Sequence, residues 1–548
     1  MKIALAPVNQ VVGDFRGNLL RLESALAEAT AAGAALCVFP EMATCGCFAK
    51  DLLLQDRFVS DNLDVIDELA DRTRGIGIVI GYVRWSPSGG GLENAAALLY
   101  DGEIVSTHVK TRLSYHGDAD ESRYFVSGDA VKPIEFDGIR FGITLSNDIL
   151  GVAGPYYNPR GRLDPAAEAV QKGAEVILNL CAEPYRINGC KERLNALSKC
   201  AEAHHRPVLH VNMVGGSGEW VFDGAALSVD PYGALLQERS SFRESIIVVD
   251  VDSDADFDAD FEETSPCDDA GAVASALTLG MRDFFQKRNE SGAVVVLDGG
   301  LDSSLSAVIA VDALGPKQVR AVTFTLQEMD EDVIARTEAM TRFLGIEHSV
   351  MSADGWTDAF RSQVAALVNG GVVHRSDNLD LTDRIALRVL LLTAFGLNGD
   401  LLISSDTRTD LALSAPAPVI GDFALLKGVS KSLLFDIAAR LRDWRAFPVS
   451  MLMPSAEERL CKIEVDGELG SVSYSVSYAE VDLVLDNYFQ YGFAHPTLFS
   501  LGVDDALVRG ILQKVTASEG YRRRLPPGIN ISGTHSPKIP IQHRFAYS

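Results

Sequence analysis

Short apolar runs alternate with stretches of helical periodicity along the first 250 residues of the chain. The apolar runs predict β-strands, because each is short, rich in aliphatic residues and bounded by polar or glycine positions. These strands are predicted at residues 2–7, 35–39, 75–82, 94–100, 139–145, 176–180, 208–211 and 225–229. Helices are predicted at 18–32, 163–172 and 190–203, where apolar residues recur at helical spacing. Strands and helices mixed in this way predict a layered α/β domain.

An acidic segment interrupts this pattern after residue 250. Aspartates occupy positions 250, 252, 254, 256, 258 and 260, and two glutamates follow at 262 and 263. Such a run predicts a solvated linker; a calcium loop would need a turn glycine and a terminal carboxylate at fixed spacing. We therefore predict an N-terminal domain over residues 1–250, a linker over 251–272 and a C-terminal domain over 273–548.

The C-terminal domain shows the same alternation of strands and helices. Strands are predicted at 293–297, 319–324 and 401–404, and helices at 270–287, 303–313 and 331–344. Each predicted strand is a nearly continuous apolar run, as expected for strands that are covered on both faces. The pattern predicts a parallel sheet with helices on both of its sides.

Composition and charge limit the classes of function. The 548 residues are 47% hydrophobic and 23% charged, as is ordinary for a globular chain. The 49 basic and 75 acidic residues give a net charge of −26, which repels nucleic-acid phosphates and anionic lipid surfaces. The longest nearly uncharged apolar stretch, residues 389–397, is too short to cross a bilayer. The eight cysteines are scattered without a CxxC pair, which favours a reducing compartment. We predict a cytoplasmic protein that binds neither nucleic acid nor membranes.

The sharpest local motif is the loop between the predicted strand 293–297 and the predicted helix 303–313. It consists of Asp298, Gly299, Gly300, Leu301, Asp302, Ser303 and Ser304. Paired glycines allow a close approach of the backbone to a ligand, and the following helix presents free N–H groups and the positive end of its dipole. The serines can cap that helix or donate to phosphate oxygens. The loop predicts a phosphate cradle, and the alternative is a plain strand-to-helix turn.

This loop resembles the SGGxDS pyrophosphatase loop of the adenine-nucleotide α-hydrolases, and residues 299–324 are similar to NAD⁺ synthetase. The N-terminal half resembles the nitrilase-type glutaminase domain of glutamine-dependent NAD⁺ synthetases. The other matching segments are 11–19, 39–42, 51–54, 110–113, 121–125, 214–216, 221–224, 521–528 and 538–541. The resemblance implies an N-terminal nitrilase-like αββα sandwich and a C-terminal doubly wound parallel sheet of the PP-loop ATPase type. It also implies ATP and Mg²⁺, the substrates deamido-NAD and glutamine or ammonia, and a homo-oligomer, the family's assembly being an octamer.

In the glutaminase half, the resemblance assigns catalytic roles to Glu41 as the base, to Lys110, and to Ser146 at the position of the nucleophilic cysteine. A thiol is partly ionised near neutral pH and a serine hydroxyl almost never is, so we expect most of the rate to be lost. Tyr115 and Glu121 are assigned to the substrate side of this site. A second departure is Glu183, which replaces the substrate-side serine of the family's SxSPY segment. Cysteines 45, 47 and 181 lie in other motifs, and we interpret them as packing residues.

In the synthetase half, Asp298 replaces the first serine of the SGGxDS loop, where a carboxylate would repel phosphates unless a cation intervened. Residues 405–410 match the family's TGNKSE segment only in part, with Thr407 and Arg408 on the nucleotide side. The resemblance places Mg²⁺ on Asp302 and Asp410. The segment that contacts the nicotinate side falls at 377–380, with Asn378, or at 382–384, and the register stays open. Residues 325–328 do not match the family, whereas 421–424, Lys427 and 430–431 do, either as ligand contacts or as a structural loop.

Two kinds of function are consistent with these residues. The first is a divergent NAD⁺ synthetase-like ligase, which forms an amide through an adenylate at the expense of ATP and is fed by free ammonia, or acts on another carboxylate. The second is a pseudoenzyme that keeps the fold for assembly or regulation. The retained Glu41, Lys110 and Asp302 favour a ligand site. The simultaneous losses at Ser146, at Asp298 and in the TGNKSE-like segment 405–410 favour the pseudoenzyme.

Overall fold

A computed structural model of the chain describes residues 1–114, 120–129, 131–153, 164–239, 242–251, 270–325, 331–352, 354–367, 399–413, 421–445, 459–467, 470–491, 498, 500 and 502–532. The chain divides into two compact units, Met1–Ala272 and Val273–Ser548. The predicted N-terminal domain and the whole of the predicted linker fall in the first unit, and the predicted C-terminal domain, 273–548, is the second unit. Tyr115 and Asn378, together with the rest of the 377–384 segment, lie outside the described residues.

The first unit contains two six-stranded sheets. The first sheet has the order β14-β1-β2-β3-β4-β5, in which β1 to β3 run parallel and the other pairings are antiparallel. Its strands are β1 (Lys2–Leu5), β2 (Leu36–Val38), β3 (Gly77–Trp85), β4 (Leu92–Tyr100), β5 (Glu103–Val109) and β14 (Ile247–Asp250). Strand β14 pairs antiparallel with β1, with Asp250 opposite Lys2. The last strand of the first unit therefore lies beside its first strand.

The second sheet has the order β13-β12-β9-β8-β7-β6. Its strands are β6 (Ile134–Phe136), β7 (Ile139–Leu145), β8 (Val176–Cys181), β9 (Val208–Asn212), β12 (Ala226–Val229) and β13 (Leu235–Arg239). A separate hairpin is formed by β10 (Val214–Ser217) and β11 (Trp220–Asp223). Apolar residues of the two sheets, among them Leu36, Phe141 and Leu209, pack into one core cluster.

Helices cover the outer faces of both sheets and complete a four-layer αββα sandwich. They are α1 (Phe15–Ala31), α2 (Asp56–Ala70), α3 (Pro165–Gln171) and α4 (Gly189–His204). Leucines 19, 22 and 26 of α1 pack against the first sheet, as their helical spacing predicts. Asp14 and Asp164 cap α1 and α3 by accepting hydrogen bonds from Gly17 N–H and Ala167 N–H. The sandwich that the resemblance implied is thus observed.

The second unit is built on a parallel sheet with the order β17-β16-β15-β18-β19. Its strands are β15 (Gly292–Val296), β16 (Val319–Thr325), β17 (Glu347–Ser352), β18 (Asp400–Ser404) and β19 (Phe423–Ala424). The helices α5 (Ala270–Arg288), α6 (Leu301–Leu314), α7 (Glu331–Leu344) and α8 (Asp354–Leu367) accompany it. The chain proceeds outward from β15 to β17 and then returns to the other side of β15. The loop after β15 therefore lies at the point where the strand order reverses, where such sheets bind ligands.

A second cluster of elements follows this sheet. It contains α9 (Arg408–Leu413), α10 (Lys431–Arg445), the hairpin of β20 (Leu460–Gly467) and β21 (Gly470–Ser477), α11 (Tyr478–Tyr491) and α12 (Asp505–Arg522). Apolar side chains of α9, α11, α12 and β20 form one core. Asp504 caps α12 by accepting from Ala506 N–H and Leu507 N–H.

The scattered cysteines of the sequence favour free thiols over disulfides, and the structure agrees only in part. Six are buried free thiols, namely Cys37, Cys45, Cys47, Cys181, Cys200 and Cys461. Cys190 differs from that expectation, because it is disulfide-bonded. Within the described ranges, no helix is long and apolar enough to span a bilayer.

Candidate functional site

The loop after β2 places Glu41 in the interior of the first unit. Its side chain is 3% exposed. Strand β3 approaches this loop very closely at Gly81, where a Cβ atom would lie 2.4 Å from Glu41 Cα and 2.6 Å from Met42 N. Any larger residue at 81 would push β3 away from the loop. The glycine therefore allows the sheet to hold Glu41 in place.

Lys110 lies between two buried carboxylates. Its Nζ donates to Glu41 Oε1 at 2.7 Å and to Glu121 Oε1 at 2.8 Å. Asn94 Nδ2 donates to the same two oxygens at 2.6 and 3.0 Å. Burial alone lowers the pKa of Lys110, but the charges of Glu121 and Glu41 outweigh it and raise that pKa. Burial raises the pKa of Glu121, and Lys110 opposes this shift. The lysine is therefore held as an ammonium ion.

Ser146 follows directly after β7 and faces the same cluster. Its backbone has φ +41°, a left-handed conformation that is unusual for a residue with a side chain and that turns the chain sharply. The hydroxyl donates to Glu41 Oε2. Glu41 thus lies where it can take the Ser146 proton, with the Lys110 ammonium beside it, and a serine that is bonded to a base in this way can be activated as a nucleophile.

Asp148 connects the Ser146 turn with the segment that carries Lys110. Its carboxylate accepts from Thr111 Oγ at 2.8 Å, from Arg112 N at 2.8 Å and from Leu145 N at 3.2 Å. Burial raises the pKa of Asp148, but His108, Lys110 and Thr111 together lower it below its usual value. The aspartate therefore positions Lys110 and Ser146 relative to each other.

Two cysteine thiols lie beside this cluster. Cys181 Sγ is 3.3 Å from Ser146 Oγ, and Cys47 Sγ is 3.9 Å from Ala182 O. Burial raises the pKa of both thiols, and the nearby carboxylates raise them further: Glu183 and Glu41 for Cys181, Glu41 and Glu121 for Cys47. Cys45 is also buried, and burial raises its pKa to about 12. Thiols held in the protonated form are poor nucleophiles, which favours the packing interpretation.

Glu183 lies next to an arginine that is buried with an aspartate. Arg193 donates to Asp223 through both terminal nitrogens, at 2.9 and 3.2 Å, and its Nε lies 3.4 Å from Glu183 Oε2. Arg186 is 3.8 Å from Glu183 Oε1. The backbone of Glu183 is held by Asn212, which exchanges two hydrogen bonds of 2.9 Å with it. The Glu183 carboxylate is therefore paired with the guanidinium groups of Arg193 and Arg186.

In the second unit, the predicted cradle follows β15 as expected, but its helix begins earlier than predicted. Helix α6 begins at Leu301, so Ser303 and Ser304 lie in its first turn, and Gly300 is the capping residue without a side-chain cap. Of the two roles left open for these serines, capping of the helix is therefore not the one observed. Gly299 has φ +82°, which explains the requirement for glycine there.

Asp298 turns its carboxylate back onto the cradle. Its Oδ1 accepts from Gly300 N–H at 2.9 Å and from Ser303 Oγ at 2.6 Å. Ser304 Oγ donates to Gly300 O at 2.8 Å. Arg336 NH2 reaches the same loop, 3.6 Å from the place of a Cβ on Gly299. Two hydrogen-bond donors of the predicted cradle, Gly300 N–H and Ser303 Oγ, are thus already bonded to Asp298.

The two carboxylates assigned to Mg²⁺ share a lysine. Lys431 Nζ contacts Asp302 Oδ2 and lies 3.5 Å from Asp410 Oδ2. Burial, with Asp410 and Asp298 nearby, raises the pKa of Asp302 to about 6, although Lys431 opposes the shift. In the part of the chain that the structure describes, no group of three or more His, Cys, Asp or Glu side chains is arranged to hold a metal ion. These residues do not by themselves fit a divalent cation, because an ammonium group stands between the two ligands.

Thr407 and Asp410 cap helix α9 reciprocally. Thr407 N and Oγ donate to Asp410 Oδ2 at 3.0 and 2.6 Å, and Asp410 N donates to Thr407 Oγ at 3.2 Å. Arg408 pairs with Asp486 of α11. The resemblance assigns Thr407, Arg408 and Asp410 to the nucleotide and the metal. In the structure, each of them is bonded to another residue of the protein.

Several residues of these sites were missed by the sequence analysis. Asn94 and Asp148 contact the catalytic cluster, Arg193 and Asp223 hold Glu183, and Arg336 lies at the cradle. A signal existed for Asn94 alone: it is the one amide in a strand that is apolar apart from Glu93, and a buried amide needs partners. The others have partners that are distant in sequence.

Comparison with known proteins agrees with this architecture. The carbon-nitrogen hydrolase family matches residues 2–256 and the NAD synthase family residues 273–526. The glutamine-dependent NAD(+) synthetase of Thermotoga maritima is 28% identical over 591 residues, covering 100% of this chain and 99% of that protein. The enzyme of that name from Synechocystis sp. is 26% identical, covering 97% of this chain and 96% of its own length.

Solved structures show the same fold. The glutamine-dependent NAD+ synthetase of Acinetobacter baumannii in complex with ADP has a TM-score of 0.75 and 23% identity, covering 100% of this chain and 97% of that chain. The glutamine-dependent NAD(+) synthetase from Cytophaga hutchinsonii has a TM-score of 0.78 and 16% identity, covering 99% and 98%. The two units are therefore a carbon-nitrogen hydrolase domain and an NAD synthase domain. The chain belongs to the glutamine-dependent NAD(+) synthetase family.

Proposed function

We propose that this chain is a divergent member of its family whose N-terminal domain does not release ammonia from glutamine at an enzyme-like rate. The observation that supports the proposal is Ser146, whose hydroxyl donates a hydrogen bond to Glu41 at the position where the family carries a cysteine thiol. A serine hydroxyl is almost never ionised near neutral pH, so a site built around a thiolate should lose most of its rate when serine takes the place of cysteine. Glu183 adds a carboxylate on the substrate side, next to Arg193.

The C-terminal domain is proposed to act as an ATP-dependent, amide-forming ligase that takes free ammonia. Deamido-NAD, activated as an adenylate, is the carboxylate substrate that family membership supports, and another carboxylate is the alternative. The intact glycine pair and the first turn of α6 favour a retained nucleotide site. A cytoplasmic location and a homo-oligomer of the family's octameric type belong to the same proposal.

The second candidate is a catalytically inactive protein with a role in assembly or regulation. One observation favours it: Asp298 is bonded to cradle donors that a nucleotide would use. Under this candidate, the buried Glu41–Lys110–Glu121 cluster is retained for the stability of the fold.

Release of pyrophosphate from ATP separates these candidates. The purified chain is incubated with ATP, MgCl₂ and deamido-NAD, and with ammonium chloride or glutamine as the nitrogen source. An ammonia-fed ligase releases pyrophosphate with ammonium and not with glutamine, and an inactive member releases it with neither. Equal rates with the two nitrogen sources would contradict the proposed loss of the glutaminase.

A further inference from the structure

We propose that the carboxylate of Asp298 is an internal anion that occupies the phosphate cradle after β15, so that a nucleotide binds through its pyrophosphate group only when this side chain leaves. The inference rests on the proposed assignment of the loop as a nucleotide site. It adds to that assignment a residue that determines which ligands the site accepts.

The hydrogen bonds of the loop carry the argument. Asp298 Oδ1 accepts from Gly300 N–H at 2.9 Å and from Ser303 Oγ at 2.6 Å. A backbone amide and a hydroxyl each have one hydrogen to donate, so neither can serve a phosphate oxygen while it serves Asp298. Hydrogen bonds to an ionised acceptor are stronger than bonds to a neutral one. Asp298 therefore competes strongly with a phosphate oxygen for these two donors. The loop is thus already complexed with an anion, and that anion is part of the chain.

The charges around the loop agree with this interpretation. Asp302 and Asp410 both lie within reach of Lys431, so its ammonium group is already shared by two carboxylates. Arg336 NH2 is close to Gly299, on the same loop. Removing Asp298 would therefore free Gly300 N–H and leave the Ser303 hydroxyl only its longer bond, to Gly300 O at 3.2 Å, with a guanidinium beside them. Such donors next to a guanidinium are suited to a phosphate group.

Two physical effects of Asp298 must be separated: its negative charge and its occupation of the donors. Asp298→Asn removes the charge but keeps a side-chain oxygen at the position that accepts from Gly300 and Ser303. Asp298→Ser removes the charge and also shortens the side chain, so that it no longer spans to Ser303. If occupation dominates, the asparagine variant resembles the wild type; if repulsion dominates, it resembles the serine variant.

Calorimetric titration with ATP and with AMP measures the difference, in magnesium-free buffer and again with MgCl₂. We expect Asp298→Ser to bind ATP about ten- to a hundred-fold more tightly than the wild type, the range expected for releasing bonds to a charged acceptor. Asp298→Asn keeps an acceptor for the same two donors but makes weaker, neutral hydrogen bonds, so its gain should stay below about ten-fold. AMP, which lacks the two outer phosphates, should gain nothing in either variant. Asp436→Ser, at an exposed aspartate of α10, is the matched control.

The proposal is overturned by equal ATP affinity of wild type and Asp298→Ser, by an asparagine variant as tight as the serine variant, or by a gain for AMP equal to that for ATP. Absence of ATP binding in all variants would overturn it as well, because the freed donors would then gain nothing. If Asp298→Ser does not fold, the nearly isosteric Asp298→Asn decides alone: wild-type affinity supports occupation and a ten-fold gain contradicts it. ATP binding by the wild type that Asp298→Ser does not strengthen would overturn this proposal alone, whereas pyrophosphate release from ATP tests the proposed ligase function separately.

Discussion

Replacement of Lys110 by methionine tests how the buried cluster of the first unit is held together. Methionine has a similar length and no charge, so Lys110→Met leaves Glu41 and Glu121 in place and removes the ammonium that bonds them at 2.7 and 2.8 Å. The lysine side chain is 2% exposed, and the carboxylates are 3% and 14% exposed, so water cannot replace it. Breaking a buried ion pair in this way costs about 3–5 kcal/mol.

The assay is calorimetric melting of the wild type and the variant. Since about 1 kcal/mol shifts the melting of a domain of about 150–250 residues by roughly 2–4 °C, the transition of the first unit should fall by about 6–20 °C. The loss should be smaller at pH 5 than at pH 8. Burial raises the pKa of Glu121 and Lys110 opposes this shift, so without Lys110 the folded-state pKa of Glu121 lies further above its unfolded value. Stability from such a group is present at low pH and lost as the pH rises.

Two further variants make the result interpretable. Lys132→Met, at an exposed lysine of the same unit, should change the melting by less than about 2 °C. Adding Glu121→Gln to Lys110→Met should recover part of the loss, because it removes one of the two unpaired charges. The reasoning is refuted if Lys110→Met costs less than about 1 kcal/mol, or if its cost is greater at pH 5 than at pH 8.

Three other changes test separate parts of the chain. Ser146→Cys alone should restore little ammonia release from glutamine, because Glu183 remains, whereas Ser146→Cys with Glu183→Ser should restore more; a single variant at the usual enzymatic rate of about 1–10³ per second would contradict this. Asp302→Asn should change how stability depends on pH. The wild-type carboxyl, with a folded pKa of about 6 against an ordinary value of 3.8, favours folding when protonated. Hence the stability of wild type relative to the variant should fall by about 1–3 kcal/mol as the pH rises from 4 to 7, and a flat difference would count against it. Thr407→Ala should destabilise the second unit by about 1 kcal/mol through loss of the α9 cap, measured by urea unfolding, and no change would contradict the capping role.

The sequence by itself determined the order of most elements and some of the residues at the candidate sites. Periodicity reports which side of a local segment is buried, so the central strands β1, β3, β7 and β15 could be predicted directly. The replaced positions, Ser146 and Asp298, were also evident, because motifs of fixed spacing place them on known turns. The short edge elements β5 and β13 were missed, since edge strands with exposed polar residues carry a weak apolar signal.

Only the tertiary structure decided what these residues contact. Lys431 meets Asp302 across 129 positions of the sequence, and Lys110 meets Glu41 across 69. Such pairs depend on strand register and on loop direction, which local patterns do not encode. The return of Asp298 onto Gly300 and Ser303 is local in sequence, yet it too required the structure. A carboxylate in that position can face outward to a cation or inward to the backbone, and the direction follows from which donors the first turn of α6 leaves unbonded.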